Sequence, residues 1–271
     1  MAGPRIVVVA DERELGRRAA AHALSTLEET LAHRDRAHLA LTGGSTAVLL
    51  YRAITGSPAR DRVDWTRVEL WWGDDRFVPF DHPDSNVHLV QETLLAPPEG
   101  IAVPVGNIHP FPIPEAEATG EGPAWCAARY ARQLTELVPL DQDGLPVFDL
   151  VLLGVGPDGH FLSCFPGSPL VDAPAPPICA GVPAPTTAAP HIPRVTLSPR
   201  VTEVARDVLV MAGGTGKAAV MADVLGGPRD PRRLPSQIAA RGGATWILDA
   251  AAAAMLPADL PGREDLPGGA G

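Results

Sequence analysis

The chain has 271 residues, 45% of them hydrophobic and 20% charged, enough to bury the core of one large α/β domain or two small ones. A formal net charge of −10, with no basic run and no basic stripe interleaved with aromatics, argues against nucleic acid as a partner. The apolar run near the N-terminus is too short for a signal peptide, and no stretch approaches the ~20 apolar residues of a membrane span, so no membrane partner is expected.

In chain order, residues 5–10 (RIVVVA) read as a buried strand, and 11–33 carry apolar and alanine positions at helical spacing. Residues 38–42 (HLALT) read as a strand, 46–54 as a helix and 67–72 (RVELWW) as a third strand. A helix over 85–95 is stopped by Pro97-Pro98, and 122–138 is helical again. Residues 148–155 (FDLVLLGV) and 194–198 (RVTLS) read as strands; 207–212 (DVLVMA), 216–225 and 244–249 (ATWILD) read as strand, helix, strand. Continuous apolar runs alternating with helical segments predict an α/β fold: an open, mostly parallel, doubly wound sheet with helices on both faces.

Most of the prolines cluster in 97–123 and 166–193, which makes these segments loops within one domain over residues 1–256. The last residues, 257–271, have little to bury and are expected to be a frayed, flexible tail. Cys126, Cys164 and Cys179 lack paired spacing, which fits a reducing cytosol and a cytoplasmic location. A few cations in a cleft still permit an anionic small substrate.

Ligands of open α/β sheets bind outside the carboxyl ends of the strands, so the residues after each strand matter most. HLALT is followed by Gly43-Gly44-Ser45-Thr46 and a helix, a turn that suits a phosphate; Ser45 or Thr46 can cap that helix. RVELWW is followed by Asp74-Asp75-Arg76, with Ser85-Asn86 beyond. FDLVLL is followed by Gly154, Gly156 and Gly159, with Asp158 and His160 flanking the last of these. A histidine in a glycine turn beside a carboxylate suits a general base; Asp158 can orient the imidazole or contact a substrate hydroxyl. DVLVMA is followed by Gly213-Gly214-Thr215-Gly216-Lys217. This fails the P-loop test, which needs Gly at 211 and Ser or Thr at 218, where the chain has Met211 and Ala218. A helix start carrying Lys217 still holds a phosphate. Taken singly, these features are those of a capped turn, a surface ion pair or a structural histidine. Together they point to a phosphorylated small molecule whose far end meets a base.

LTGGST, WWGDDRFVPFDHPDSN, GVGPDGHFLSCFPGSP, RVTLS and GGTGKAAVMADVL, in this order and spacing, closely resemble the 6-phosphogluconolactonase family over roughly residues 5 to 256. The resemblance implies a fold shared with glucosamine-6-phosphate deaminases and ribose-5-phosphate isomerases, and hydrolysis of 6-phospho-D-glucono-1,5-lactone without metal or organic cofactor. It places the general base on His160, phosphate contacts on Gly43, Gly44, Ser45, Thr46, Arg194 and Lys217, and polar sugar contacts on Arg76, Asp74 and Asp158. The chain departs from the pattern at Asp75, where the family usually has glutamate, at Phe161-Leu162, where a small or polar pair is usual, and at Cys164, which replaces a common leucine.

Glucosamine-6-phosphate deaminases share the GGST turn and the glycine–histidine stretch, but Arg76 and Phe165-Pro166-Gly167 favour the lactonase. A non-catalytic phosphosugar-binding module would tolerate loss of His160, which is present. A serine or cysteine hydrolase lacks its G-x-S-x-G elbow, and Cys164 reads as packing. His82 and His88 lack partners at zinc-ligand spacing.

Overall fold

The computed structural model describes residues 3–96, 98–172 and 177–266. Its elements in chain order are β1 (Arg5–Val9), α1 (Glu12–His33), β2 (Ala37–Leu41), α2 (Ser45–Thr55), β3 (Val68–Trp72), β4 (Asp74–Arg76) and α3 (Asn86–Val90). There follow β5 (Ile108–His109), α4 (Ile113–Ala118), α5 (Pro123–Leu137), β6 (Leu150–Gly154), β7 (Cys179–Val182) and β8 (Arg194–Leu197). The chain ends with α6 (Val201–Val204), β9 (Asp207–Ala212), α7 (Ala218–Met221), β10 (Ala244–Asp249) and β11 (Arg263–Asp265).

Eight strands form the main sheet in the order β11-β1-β10-β9-β6-β2-β3-β5, every pairing parallel. All five residues of β2 and of β3 are buried. Alternate residues of a strand point to opposite faces, so both faces are covered and the uninterrupted apolar runs are explained. Asp11 caps α1 by accepting from Glu14 N at 2.8 Å, and the helix buries Leu15, Ala19, Ala23, Leu24 and Leu27 at helical spacing.

Three features depart from the sequence reading. RVTLS does not join the main sheet. As β8 it lies between β4 and β7 in a small antiparallel sheet, so the Asp74–Arg76 tip is itself a strand. The proline-rich segments are not loops throughout: 97–123 holds β5 and α4, and 166–193 holds β7. Of those segments, Pro97, half of the expected helix stop, and residues 173–176 lie outside the described residues. The C-terminal stretch is not frayed as far as residue 266. Arg263–Asp265 pairs with Ile6–Val8 of β1, flanked by Ile6 N donating to Gly262 O at 2.8 Å and Leu266 N donating to Val8 O at 2.9 Å. Three charged residues bury little, yet they satisfy the open edge of β1, and a short charged strand is a safe edge.

Asp75 fastens the small sheet to α3. Its carboxylate is fully buried and accepts from Asn86 N at 2.6 Å, Arg76 N at 2.7 Å, Val87 N at 3.3 Å and the Ser85 hydroxyl at 3.2 Å. It is structural, so the shorter side chain in place of glutamate costs no cavity contact. Burial pushes this carboxyl up to about 7, against the pull of the Asn86 and Arg76 N–H groups.

Two outcomes are expected. Ending the chain at residue 256 removes β11 and lowers Tm by about 2–6 °C in calorimetry; an unchanged Tm would mean that β11 contributes nothing. Because the folded pKa of Asp75 lies above the unfolded value, its favourable contribution is complete below about pH 4 and is lost as pH rises through about 7. The wild-type Tm should therefore fall relative to that of Asp75→Asn between about pH 5 and about pH 8, and parallel pH profiles would exclude this linkage.

Candidate active site

Because β9, β6 and β2 are parallel neighbours, the loops after them leave at one edge. Over that edge lies a cavity of about 270 Å³. Every expected site residue except Asp158 lines it. One wall is the Gly43–Thr46 turn, a second the Gly154–His160 turn, a third Lys217, and a fourth Asp74, Arg76 and Arg194 of the small sheet.

The end of β2 is held by the Tyr51 hydroxyl of α2, which donates to Thr42 O at 2.7 Å and accepts from Thr42 N at 3.1 Å. The cap of α2 is Gly44, without a side-chain hydrogen bond. The expectation that Ser45 or Thr46 caps this helix is therefore corrected: both lie inside its first turn, where their N–H groups stay free for an anion.

After β6 the chain turns tightly: Gly156 N donates to His160 O at 2.8 Å, and Gly159 N donates to Gly156 O at 3.1 Å. The Phe165 ring lies 4.7 Å from the imidazole. A Cβ on Gly156 would lie 2.1 Å from His160 Cε1 and Nδ1, so glycine there is what gives the ring its place. Nδ1 is hydrogen-bonded to Asp158 Oδ1, which also accepts from His160 N at 3.2 Å. A carboxylate only accepts, so Nδ1 carries the proton and Nε2 is left with its lone pair. Burial raises the Asp158 carboxyl, but the hydrogen bond and charge of His160 outweigh it and hold Asp158 below its ordinary value. Of the two roles open to Asp158, orientation of the ring is the one its position fits; it stands behind the imidazole and off the cavity wall.

Lys217 is positioned twice. Asp249 Oδ2 accepts from Gly214 N at 2.9 Å and pins the loop, and the lysine Nζ donates to Val155 O at 2.7 Å. Burial lowers the Lys217 pKa, partly offset by the Asp158 charge.

Arg76 and Arg194 face each other across the β4–β8 pair. Arg194 is buried, and burial followed by the Arg76 charge lowers its pKa. Its Nε and Nη2 donate to Ile192 O at 3.1 Å and Pro190 O at 2.9 Å, so it also anchors the proline-rich segment, whose Ala188 and Ala189 reach the cavity. Arg76 Nη1 donates to Asp84 O at 2.6 Å, and its Nε is buried without a partner. Two opposed guanidiniums repel unless an anion lies near them.

Asp74 Oδ2 accepts from the Ser163 hydroxyl at 2.6 Å, and Ser163 N donates to Thr196 Oγ1 at 3.1 Å. Thr196 is the register partner of Asp74. The loop that carries His160 is thus tied to the small sheet. Sequence reasoning gave Ser163 and Asn86 no role, though Asn86 lines the cavity. Cys164 is buried, and burial pushes its thiol up to about 11, as packing requires.

The family model described as Glucosamine-6-phosphate isomerases/6-phosphogluconolactonase matches residues 10–247. A 6-phosphogluconolactonase of Streptomyces coelicolor is 36% identical over 265 residues, covering 95% of this chain and 96% of that one. One from Synechocystis is 30% identical, covering 91% and 95%. The solved structure of 6-phosphogluconolactonase from Trypanosoma brucei superposes with a TM-score of 0.81 at 29% identity, covering 95% of this chain and 100% of that one. A monomeric glucosamine-6-phosphate deaminase shares the fold, with a TM-score of 0.68 at 16% identity over 93% and 99% of the two chains. The chain belongs to the glucosamine-6-phosphate isomerase/6-phosphogluconolactonase family.

Proposed function

We propose that this chain hydrolyses 6-phospho-D-glucono-1,5-lactone to 6-phospho-D-gluconate. The observation that carries the reading is one cavity that holds both an Asp158-oriented imidazole and an anion end built from Arg194, Lys217 and the uncapped start of α2.

His160 Nε2 takes a proton from water as the water oxygen bonds to C1 of the lactone. The carbonyl becomes a tetrahedral oxyanion; the Arg76 guanidinium at the cavity wall and the N–H groups of the glycine turn are the donors at hand. Asp158, kept ionised, steadies the imidazolium. When the oxyanion collapses, the C1–O5 bond breaks, O5 takes the proton from the imidazolium and the ring opens to the acid. The phosphate, gripped at the far end, holds C1 against the base, so remote binding is spent on orientation. Asp74 is a polar contact to the sugar.

The relatives' names and the Arg76 and Phe165-Pro166-Gly167 positions support lactone hydrolysis over deamination of an amino sugar. A phosphosugar-binding module without activity would not need the oriented base. We place the reaction in the cytoplasm, a reading supported by three free buried cysteines. No helix among the described residues is long and apolar enough to cross a membrane.

The test follows loss of freshly made lactone above its spontaneous hydrolysis, with ammonia release from glucosamine 6-phosphate as the control. His160→Ala should lower kcat by about 10²–10⁴-fold and leave 6-phosphogluconate binding nearly intact; equal turnover would remove the base assignment. Lys217→Ala and Arg194→Ala should chiefly raise KM, each by about tenfold to a hundredfold. An unchanged KM in both would take them out of the phosphate site.

A further inference from the structure

A base works only where it is held: a misplacement of about 1 Å costs up to about a hundredfold in rate. The loop that carries His160 is tied to the small sheet through Ser163. A second support comes from residues 228–236.

Gly159, between Asp158 and His160, is the point of contact. Its carbonyl accepts from Ser236 N at 3.0 Å. Its φ is +81°, and a Cβ on it would lie 2.6 Å from Leu234 Cδ2, so the buried leucine lies directly against the turn. Further along the same loop, Gly167 N donates to Arg232 O at 2.7 Å.

Residues 228–234 form neither helix nor strand, so their backbone groups need other partners. One buried side chain supplies two. Gln237 is 2% exposed; its Oε1 accepts from Asp230 N at 2.6 Å, and its Nε2 donates to Pro228 O at 3.0 Å. A backbone N–H only donates and a carbonyl only accepts, so these two contacts fix the orientation of the amide. Gln237 N donates to Leu234 O at 3.0 Å, and Asp230 O accepts from Leu234 N at 2.8 Å. Leu234 is thus held at both its N–H and its C=O by the two residues that the amide joins. Nε2 also lies 3.4 Å from Asp223 O and from Val224 O, in the helical run that follows Lys217. Gln237 itself does not line the cavity.

We propose that Gln237 is a positioning residue for the general base: its carboxamide shapes 228–234 so that Leu234 and Ser236 hold Gly159, and with it the Asp158–His160 pair, in place. The inference rests on the reading of His160 as the base of lactone hydrolysis and extends that reading beyond the cavity wall. An apolar side chain at 237 would leave Asp230 N and Pro228 O without partners, and the segment would relax away from the turn. Lys217 keeps its own ties, its Nζ to Val155 O and its loop to Asp249 through Gly214 N, so the grip on phosphate is retained.

The test compares wild type, Gln237→Leu, Leu234→Ala and the double variant. Turnover is expressed per 6-phosphogluconate-binding site counted by calorimetry, so misfolded molecules drop out. Each single variant should lower kcat per site by about tenfold and leave KM and the product Kd unchanged. The double variant should lose little more than either single one, because both changes act on one contact. The proton between His160 Nδ1 and Asp158 gives a downfield NMR signal, identified by its loss in His160→Ala, and it should move or broaden in both single variants. If Gln237→Leu does not fold, Gln237→Glu carries the same readouts: it keeps the acceptor for Asp230 N and removes the donor to Pro228 O. Fewer binding sites with normal kcat at each and an unmoved signal overturn the inference. Wild-type protein inert on the lactone, with the signal still moving in both variants, overturns the lactone reading and leaves the positioning of the imidazole standing.

Discussion

Parallel pairing of β9, β6 and β2 brings three loops out of the sheet side by side, although they are far apart in sequence. Each loop has glycine where the chain must turn sharply, and each delivers one chemical group: free N–H groups from the start of α2, an imidazole from the turn after β6, an ammonium from the turn after β9. The ammonium is also held by its own side chain, Lys217 Nζ donating to Val155 O. The backbone hydrogen bonds of the sheet set their mutual distance, and contacts between neighbouring strand ends such as Asp249 to Gly214 fix the remainder.

The small antiparallel sheet adds what the parallel edge lacks. β4 and β8 carry Arg76 and Arg194 opposite each other, together with Asp74 and Thr196, which hold Ser163. The chain as a whole is strongly acidic, yet its cavity gathers two guanidiniums and an ammonium. A local field of that sign favours an anion whatever the net charge of the chain. Opposed arginines, one of them buried, are costly in the empty protein and become favourable when a phosphate or oxyanion sits between or beside them.

The main sheet was legible because a parallel strand covered on both faces is apolar at every position, and RIVVVA, HLALT, DVLVMA and ATWILD say so without periodicity analysis. The glycine-flanked His160 and the cations were legible for a related reason: polar residues just after such runs stand at the edge where ligands bind. The second sheet was not legible. Asp74-Asp75-Arg76 has no apolar alternation, and its partner strand lies more than a hundred residues away in sequence. β11 escaped notice because it serves the sheet with backbone groups and has almost no side chain to bury. The role of Asp158 needed the third dimension, since orienting a ring and touching a substrate look alike in one. Asn86 was hidden by its neighbour: Ser85 announces a helix start and draws the eye from the amide that follows.

The tie between Ser163 and the Asp74–Thr196 pair has a consequence for how such chains diverge. Both ends of that tie lie outside residues 166–193. Within that segment β7 is paired with β8 in the small sheet, so it is the stretches before and after β7 that can change length or composition without pulling on the imidazole. Loop closure is only weakly sensitive to length, and surface loops absorb insertions well. Variation there reshapes the cavity wall at Ala188 and Ala189, while the Ser163 tie keeps the imidazole's loop in place.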